Sequence, residues 1–200
     1  MIKHIIFDLS EVLISGLFGI EKRLAPTLNI DEKIISRQLC EGSFSDLMLG
    51  NITEDAFIDE VISKYNWKIE KEVVKKEIRQ NLLNEIEGTK EILFKLRGKY
   101  DLILVSDHCA EWVEHVIKSH DFLSIFDKIY FSFQIKSTKK SKDALEFVLK
   151  ENSLVPYECL FIDDSTTNIS FAKELGINTI HFKDAECLMQ ELSKFEINYN

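Results

Sequence analysis

Two hundred residues, 45% hydrophobic and 30% charged, are enough for one sizeable core or for a core carrying a smaller insert. A formal net charge of −9 argues against a nucleic-acid partner and against an anionic membrane surface. Four scattered cysteines with no Cys-x-x-Cys pair, and no apolar run of membrane-spanning length, point to reduced thiols in a cytoplasmic protein.

In chain order, Ile5-Ile6-Phe7 leads straight to Asp8, as in a strand buried on both faces that delivers a carboxylate at its C-terminal end. Ser15 to Ile20, with Gly16 and Gly19, reads as a loop. From about Glu21 to Glu85 the pattern is helical, with Asn29 and Asp31 as capping candidates, a stop at Gly42 and Thr53 as an N-cap. Phe44 falls in a loop between helices, and a further helix is expected from Glu70 through Leu83. After Gly88 strands and helices alternate. The expected strands are Leu102–Val105, Lys128–Phe133, Cys159–Ile162 and Asn178–Phe182, with helices between and after them. Such alternation implies a parallel sheet. The fold class is therefore α/β, a three-layer Rossmann-like core (residues 1–15 and 86–200) with an inserted all-helical cap (residues 16–85), hinged at Ser15–Ile20 and near Glu85–Gly88.

Three of the apolar runs end in side chains suited to phosphate chemistry: Asp8, Ser106 and the pair Asp163-Asp164. Between the second and third lies a lysine cluster, Lys136, Lys139, Lys140 and Lys142. If these strands are parallel neighbours, all four groups converge at one edge of the sheet, where open α/β sheets bind ligands. Carboxylates from different strands make a hard oxygen site suited to Mg²⁺. A hydroxyl and an ammonium can hold phosphoryl oxygens, and Asp8 could attack phosphorus.

On these motifs the chain resembles the haloacid dehalogenase (HAD) superfamily, in its phosphatase-like branch with a helical cap after the first motif. Phe7-Asp8-Leu9-Ser10-Glu11-Val12-Leu13 looks like the first motif and Leu104-Val105-Ser106-Asp107 like the second. Ser132-Phe133-Gln134-Ile135 followed by Thr138-Lys139 is similar to the third, and Phe161-Ile162-Asp163-Asp164-Ser165 to the fourth. The insert segment Leu49-Gly50-Asn51-Ile52-Thr53-Glu54-Asp55-Ala56-Phe57 resembles the cap of glucose-1-phosphate phosphatase-like members. The resemblance implies a Mg²⁺-dependent hydrolase of small phosphorylated metabolites, with Asp8 as nucleophile and Ser106 and Lys139 on the phosphate. It implies metal ligation by Asp8, Asp164 and the Ser10 carbonyl, with Asp163 acting through water. Asp107 and His108 follow Ser106 and are candidate substrate contacts.

Two positions depart from the family pattern. Phosphatases of this kind usually carry a second Asp, the general acid and base, where Ser10 stands. Lys140-Ser141 replaces the Pro-Asp that often follows the lysine, so the lysine could be displaced by one. Two other readings stay open: a metal-free dehalogenase in which Asp8 attacks carbon, and a protein that binds a phosphometabolite without turning it over. Glu11 could supply the missing acid but is expected to point elsewhere. Lys136, Lys140 and Lys142 read as a solvated face, and His115 and His120 as structural.

Overall fold

The computed structural model describes residues 1–198. Five strands, β1 (His4–Phe7), β2 (Asp101–Ser106), β3 (Lys128–Phe131), β4 (Cys159–Asp163) and β5 (Asn178–His181), form one sheet in the order β3-β2-β1-β4-β5. Every pairing is parallel. Strict alternation along the strands sorts their side chains into two apolar layers. Ile5, Phe7, Leu102, Leu104, Leu160 and Ile162 enter one layer. Ile6, Ile103, Val105, Cys159 and Phe161 enter the other. Helices α6 (Thr89–Leu96), α7 (Ala110–Ser119) and α11 (Ala185–Lys194) cover the first face, and α9 (Asp143–Glu151) and α10 (Thr166–Glu174) cover the second.

Between β1 and α6 lie five inserted helices: α1 (Ile20–Leu28), α2 (Glu32–Cys40), α3 (Phe44–Met48), α4 (Glu54–Tyr65) and α5 (Lys71–Leu82). Local capping explains their limits. Asp31 Oδ1 accepts the Lys33 N–H at 2.9 Å and Thr53 Oγ1 accepts the Ala56 N–H at 3.2 Å, while Asn29 closes α1 in the left-handed conformation. Two expectations need correction. Phe44 opens the short helix α3 instead of lying in a loop. The third strand stops at Phe131, because Ser132–Ile135 turn into a one-turn helix, α8.

The inserted helices share one continuous apolar cluster with the α6/α7 side of the sheet. The segments that enter and leave the insert pair with each other: Ser15 N–H donates to Asn84 O at 2.8 Å and Ile86 N–H to Leu13 O at 2.9 Å. The buried Asn81 amide donates to Gly16 O and Phe18 O, both at 2.7 Å, so the first expected hinge is pinned to α5. Core residues also cap the ends of inserted helices. His115 Nε2 lies 3.1 Å from Arg79 O, and His120 Nε2 lies 2.7 Å from Leu82 O. Ser132 Oγ donates to Met48 O at 2.6 Å, and Lys136 Nζ donates to Leu49 O and Gly50 O at 2.8 and 3.1 Å. Lys136 is thus engaged with the insert, not simply solvated. Among the described residues no helix is long and apolar enough to cross a membrane.

Candidate active site

Strand register builds the site. Phe7 is level with Leu104 on one side and Ile162 on the other, so the next residues of β1, β2 and β4 emerge together at the C-terminal edge. There Asp8, Asp163 and Asp164 each present a carboxylate oxygen within 4.8 Å of the others. Asp8 and Asp163 are buried and Asp164 is half-buried.

Three donors converge on Asp8 Oδ1: the Leu9 N–H at 2.6 Å, the Ser106 hydroxyl at 3.0 Å and Lys139 Nζ at 2.6 Å. Oδ2 is the oxygen left for chemistry. Burial raises the Asp8 carboxyl above the usual carboxylate range, while the Lys139 charge pulls it back. For Lys139 burial opposes the charge, but Asp163, Asp8 and Asp107 together outweigh it, so the ammonium is held. Lys139 is the member of its cluster that reaches the site, and its Nζ is also 2.7 Å from Asp163 Oδ2.

The neighbours of these groups orient them. Asp163 Oδ1 accepts from Ser165 N–H at 2.8 Å and from the Asn168 amide at 3.0 Å, which commits this carboxylate to internal partners. Asp107 accepts the Lys139 backbone N–H on both oxygens, at 3.1 and 3.2 Å, and so holds the loop that delivers the lysine. Burial raises the Asp107 carboxyl, with Lys139 opposing. Asp107 also lines the cleft.

His108, a candidate substrate contact, is not among the residues that line the cleft. It is 1% exposed, with Nε2 3.2 Å from Ser10 Oγ and Nδ1 3.0 Å from Ser106 Oγ. Burial, with Lys139 adding to it, pushes the imidazole down to about 3, so the ring is neutral. One nitrogen of a neutral ring must donate and the other accept. Because the Ser106 hydroxyl donates to Asp8, its oxygen accepts from Nδ1–H, and the Ser10 hydroxyl then donates to Nε2. Ser10, His108, Ser106 and Asp8 form one directed chain. Sequence reasoning placed each residue near the site but not this order, since nothing in the spacing tells a buried imidazole from an exposed one.

Gly16 closes the other side of Ser10. A Cβ at Gly16 would lie 2.7 Å from Ser10 Oγ, so only glycine allows this approach. Glu11, in the left-handed conformation at φ 59°, turns its Oε1 back to the Gly16 N–H at 2.7 Å and lines the cleft. The cleft holds about 190 Å³, with Asp8, Ser10, Asp107 and Asp164 on its polar side. Phe44 and Trp112 line its apolar side.

All the site's metal-competent donors are oxygens, and three of them are carboxylates, a set that fits a hard divalent cation. Asp8 and Asp164 would hold it with the Ser10 carbonyl, and Asp163, already engaged, would act from behind.

Comparisons with known proteins agree with this geometry. A family model described as haloacid dehalogenase-like hydrolase matches residues 5–182. A D-ribitol-5-phosphate phosphatase from Bacteroides thetaiotaomicron is 26% identical, over 96% of this chain and 98% of its own. A HAD family enzyme from the same organism, crystallised with magnesium and inorganic phosphate, superposes with a TM-score of 0.73 at 25% identity, covering 92% of this chain and 96% of its own. A predicted HAD-like family hydrolase from Porphyromonas gingivalis gives 0.76 at 25% identity, covering 98% of both chains.

Proposed function

We propose, for a chain that belongs to the haloacid dehalogenase-like hydrolase family, that it is a Mg²⁺-dependent phosphatase of small phosphomonoesters acting through an aspartyl phosphate on Asp8. The observation that carries this reading is the meeting of three carboxylates, a buried ammonium and a buried hydroxyl at the sheet edge. The phosphatase relative and the magnesium- and phosphate-bound neighbour support it.

Asp8 Oδ2 attacks phosphorus, and a bond forms between them as the ester P–O bond breaks. The electron pair of that bond leaves on the alcohol oxygen, which then takes a proton. Water attacks the acyl phosphate in a second step, gives up a proton and restores the carboxylate. Lys139, with three protons, holds a phosphoryl oxygen while still on Asp8, and the Ser106 hydroxyl turns from Asp8 to the phosphate. The Leu9 N–H and Lys139 keep Oδ1 fixed for attack by the other oxygen. Mg²⁺ when bound would neutralise phosphoryl charge. The inserted helices, residues 16–85, act as the cap that closes the cleft, while residues 1–15 and 86–200 form the core.

Ser10 bears on rate. A serine hydroxyl is a poor proton donor and a worse base than a carboxyl group. Here it is a donor to a neutral imidazole, so turnover is slow and the phosphoenzyme long-lived. The same residue favours a second reading, a phosphometabolite binder without turnover. A turnover screen over small phosphorylated metabolites, with Mg²⁺ and with chelator, separates the two. Hydrolysis that chelator removes supports the enzyme, whereas saturable binding without phosphate release supports the binder.

A further inference from the structure

The cleft above Asp8 has two unlike sides. Its polar side belongs to the reaction. Its outer wall is Leu17 and Phe18 from the segment before α1, Phe44 from α3 and Trp112 from α7. Phe18 is 58% exposed at the rim, whereas Trp112 is 3% exposed in the wall.

Trp112 is held from behind by the insert. Its Nε1–H donates to Glu54 Oε1 at 2.7 Å, and Glu54, in the first turn of α4, is 1% exposed. Arg79 of α5 clamps that carboxylate with both terminal nitrogens, Nη1 to Oε1 at 2.7 Å and Nη2 to Oε2 at 2.5 Å. The indole and the His108 ring form a T-shaped pair at a centroid separation of 6.1 Å and an interplanar angle of 81°. The only polar atom of Trp112 is therefore satisfied away from the cleft, and what the ring offers to a ligand is hydrocarbon. Phe44 on the same wall packs against Phe57 and lies under Lys140 Nζ, 5.3 Å from its centroid, which holds that ring in place too.

Hydroxyl groups brought against the side chains of Leu17, Phe18, Phe44 and Trp112 would leave water without a side-chain partner on that wall, which disfavours them; the polar side chains of the cleft are Asp8, Ser10, Glu11, Asp107, Asp164 and Ser165. A flat apolar group would gain contact with aromatic faces. The volume of about 190 Å³ falls below the ~300–1,000 Å³ usual for ligand pockets and must also take the phosphoryl group beside Asp8 and Asp164, so the apolar group is at most about one ring in size.

We infer that this wall selects phosphomonoesters whose alcohol carries a single flat, apolar or aromatic group, over the phosphates of polyols. Trp112 is the specificity-determining contact, and Glu54, clamped by Arg79, is the residue that positions it. The inference rests on the phosphatase reading and narrows it to a substrate class.

Benzyl phosphate and ribitol 5-phosphate provide the test, because both release a primary alcohol and differ in what faces the wall. Acetyl phosphate, with no group large enough to span the wall, reports the chemistry alone. With Mg²⁺, kcat/KM for benzyl phosphate should exceed that for ribitol 5-phosphate by ~10-fold or more, on the scale of apolar pocket contacts. Trp112→Leu should shrink this ratio by ~10-fold, mainly through KM for the benzyl ester. Phe18→Ala, at a position 58% exposed, should shrink it in the same direction. Glu54→Gln, which keeps an acceptor for Nε1 but weakens the Arg79 clamp, should raise KM for the benzyl ester and shift the Trp112 fluorescence. A preference for ribitol 5-phosphate, or a ratio unmoved in both Trp112→Leu and Phe18→Ala, overturns the inference. If neither ester nor acetyl phosphate turns over, the phosphatase reading fails. The intact esters then serve as ligands, and calorimetry in Mg²⁺ asks whether benzyl phosphate binds more tightly and loses that advantage in Phe18→Ala; equal affinities overturn the inference.

Discussion

The sheet edge and the inserted helices are both held by polar contacts, but of different kinds. At the edge, side chain meets side chain: Lys139 lies between Asp8 and Asp163, and His108 between two serines. At the junction with the insert, side chains mostly meet backbone carbonyls, as Ser132 does with Met48, Lys136 with Leu49 and Gly50, and His120 with Leu82. The first kind needs a particular chemistry at both ends. The second needs it only at one end, since any residue supplies a carbonyl. The edge should therefore fail abruptly on substitution, and the junction should loosen by degrees.

The largest effect is expected at Asp8. Asp8→Asn keeps the shape but removes the nucleophile, so turnover of acetyl phosphate should fall by on the order of 10⁴-fold or more, as when a covalent catalytic group is deleted. Circular dichroism should be unchanged. Chelator should abolish activity in the unmodified protein and Mg²⁺ should restore it. Activity retained in Asp8→Asn would break the comparison on its edge side.

Ser10→Asp should come next, in the opposite direction. General acid–base help is ~10²–10⁴-fold, and a carboxyl at position 10 would add it. The gain should fall toward the lower end, because a carboxylate at position 10 would accept from His108 Nε2 and force the imidazole to the other tautomer. That breaks the directed chain through Ser106 to Asp8. Rapid-quench measurement should show a shorter phosphoenzyme lifetime at unchanged Mg²⁺ affinity, since the expected ligand there is the backbone carbonyl. A phosphoenzyme already short-lived with Ser10 would mean that another group moves the proton.

Asn81→Ala moves to the junction. It leaves the buried Gly16 carbonyl and the Phe18 carbonyl without their donor and frees Arg23 from the Asn81 side chain. The expected loss is about 1–3 kcal/mol, read from the denaturant midpoint, with faster amide exchange confined to residues 15–19. Exchange that accelerated through the sheet instead would mean that the insert and core unfold together.

What was legible in the sequence follows the same division. The strands around Asp8, Ser106 and Asp163 are apolar on both faces, so they show as short continuous runs, and their order gives the parallel sheet. The lysine cluster could be located but not resolved into roles, because only the turn after α8 decides that Lys139 enters while Lys136 turns to the insert. The end of β3 at Phe131 was hidden because Ser132-Phe133 alternates as well in a strand as in a one-turn helix. Trp112 reads as an ordinary apolar position on α7. That it faces the cleft depends on Glu54, far away in sequence, whose burial no local pattern announces.

The smallest effect is expected at Lys136, and it separates two contributions at one residue. Lys136 ends α8 in the left-handed conformation, at φ 54°, which favours glycine. Its ammonium also donates to the two carbonyls that follow α3, from an exposed position where solvent screens the interaction. Lys136→Met keeps the backbone penalty and removes both hydrogen bonds, so stability should fall by about 0.5–1 kcal/mol. Lys136→Gly removes the same bonds but relieves the left-handed strain, and the two terms should nearly cancel. The cancellation is in stability alone, because the latch on Leu49 and Gly50 is lost in both variants. Amide exchange should therefore rise at residues 48–51 in both, while the denaturant midpoint drops only in Lys136→Met. Equal midpoints for the two would mean that the left-handed backbone carries no cost here, and any loss shared by both would belong to the two hydrogen bonds from Lys136 to Leu49 and Gly50.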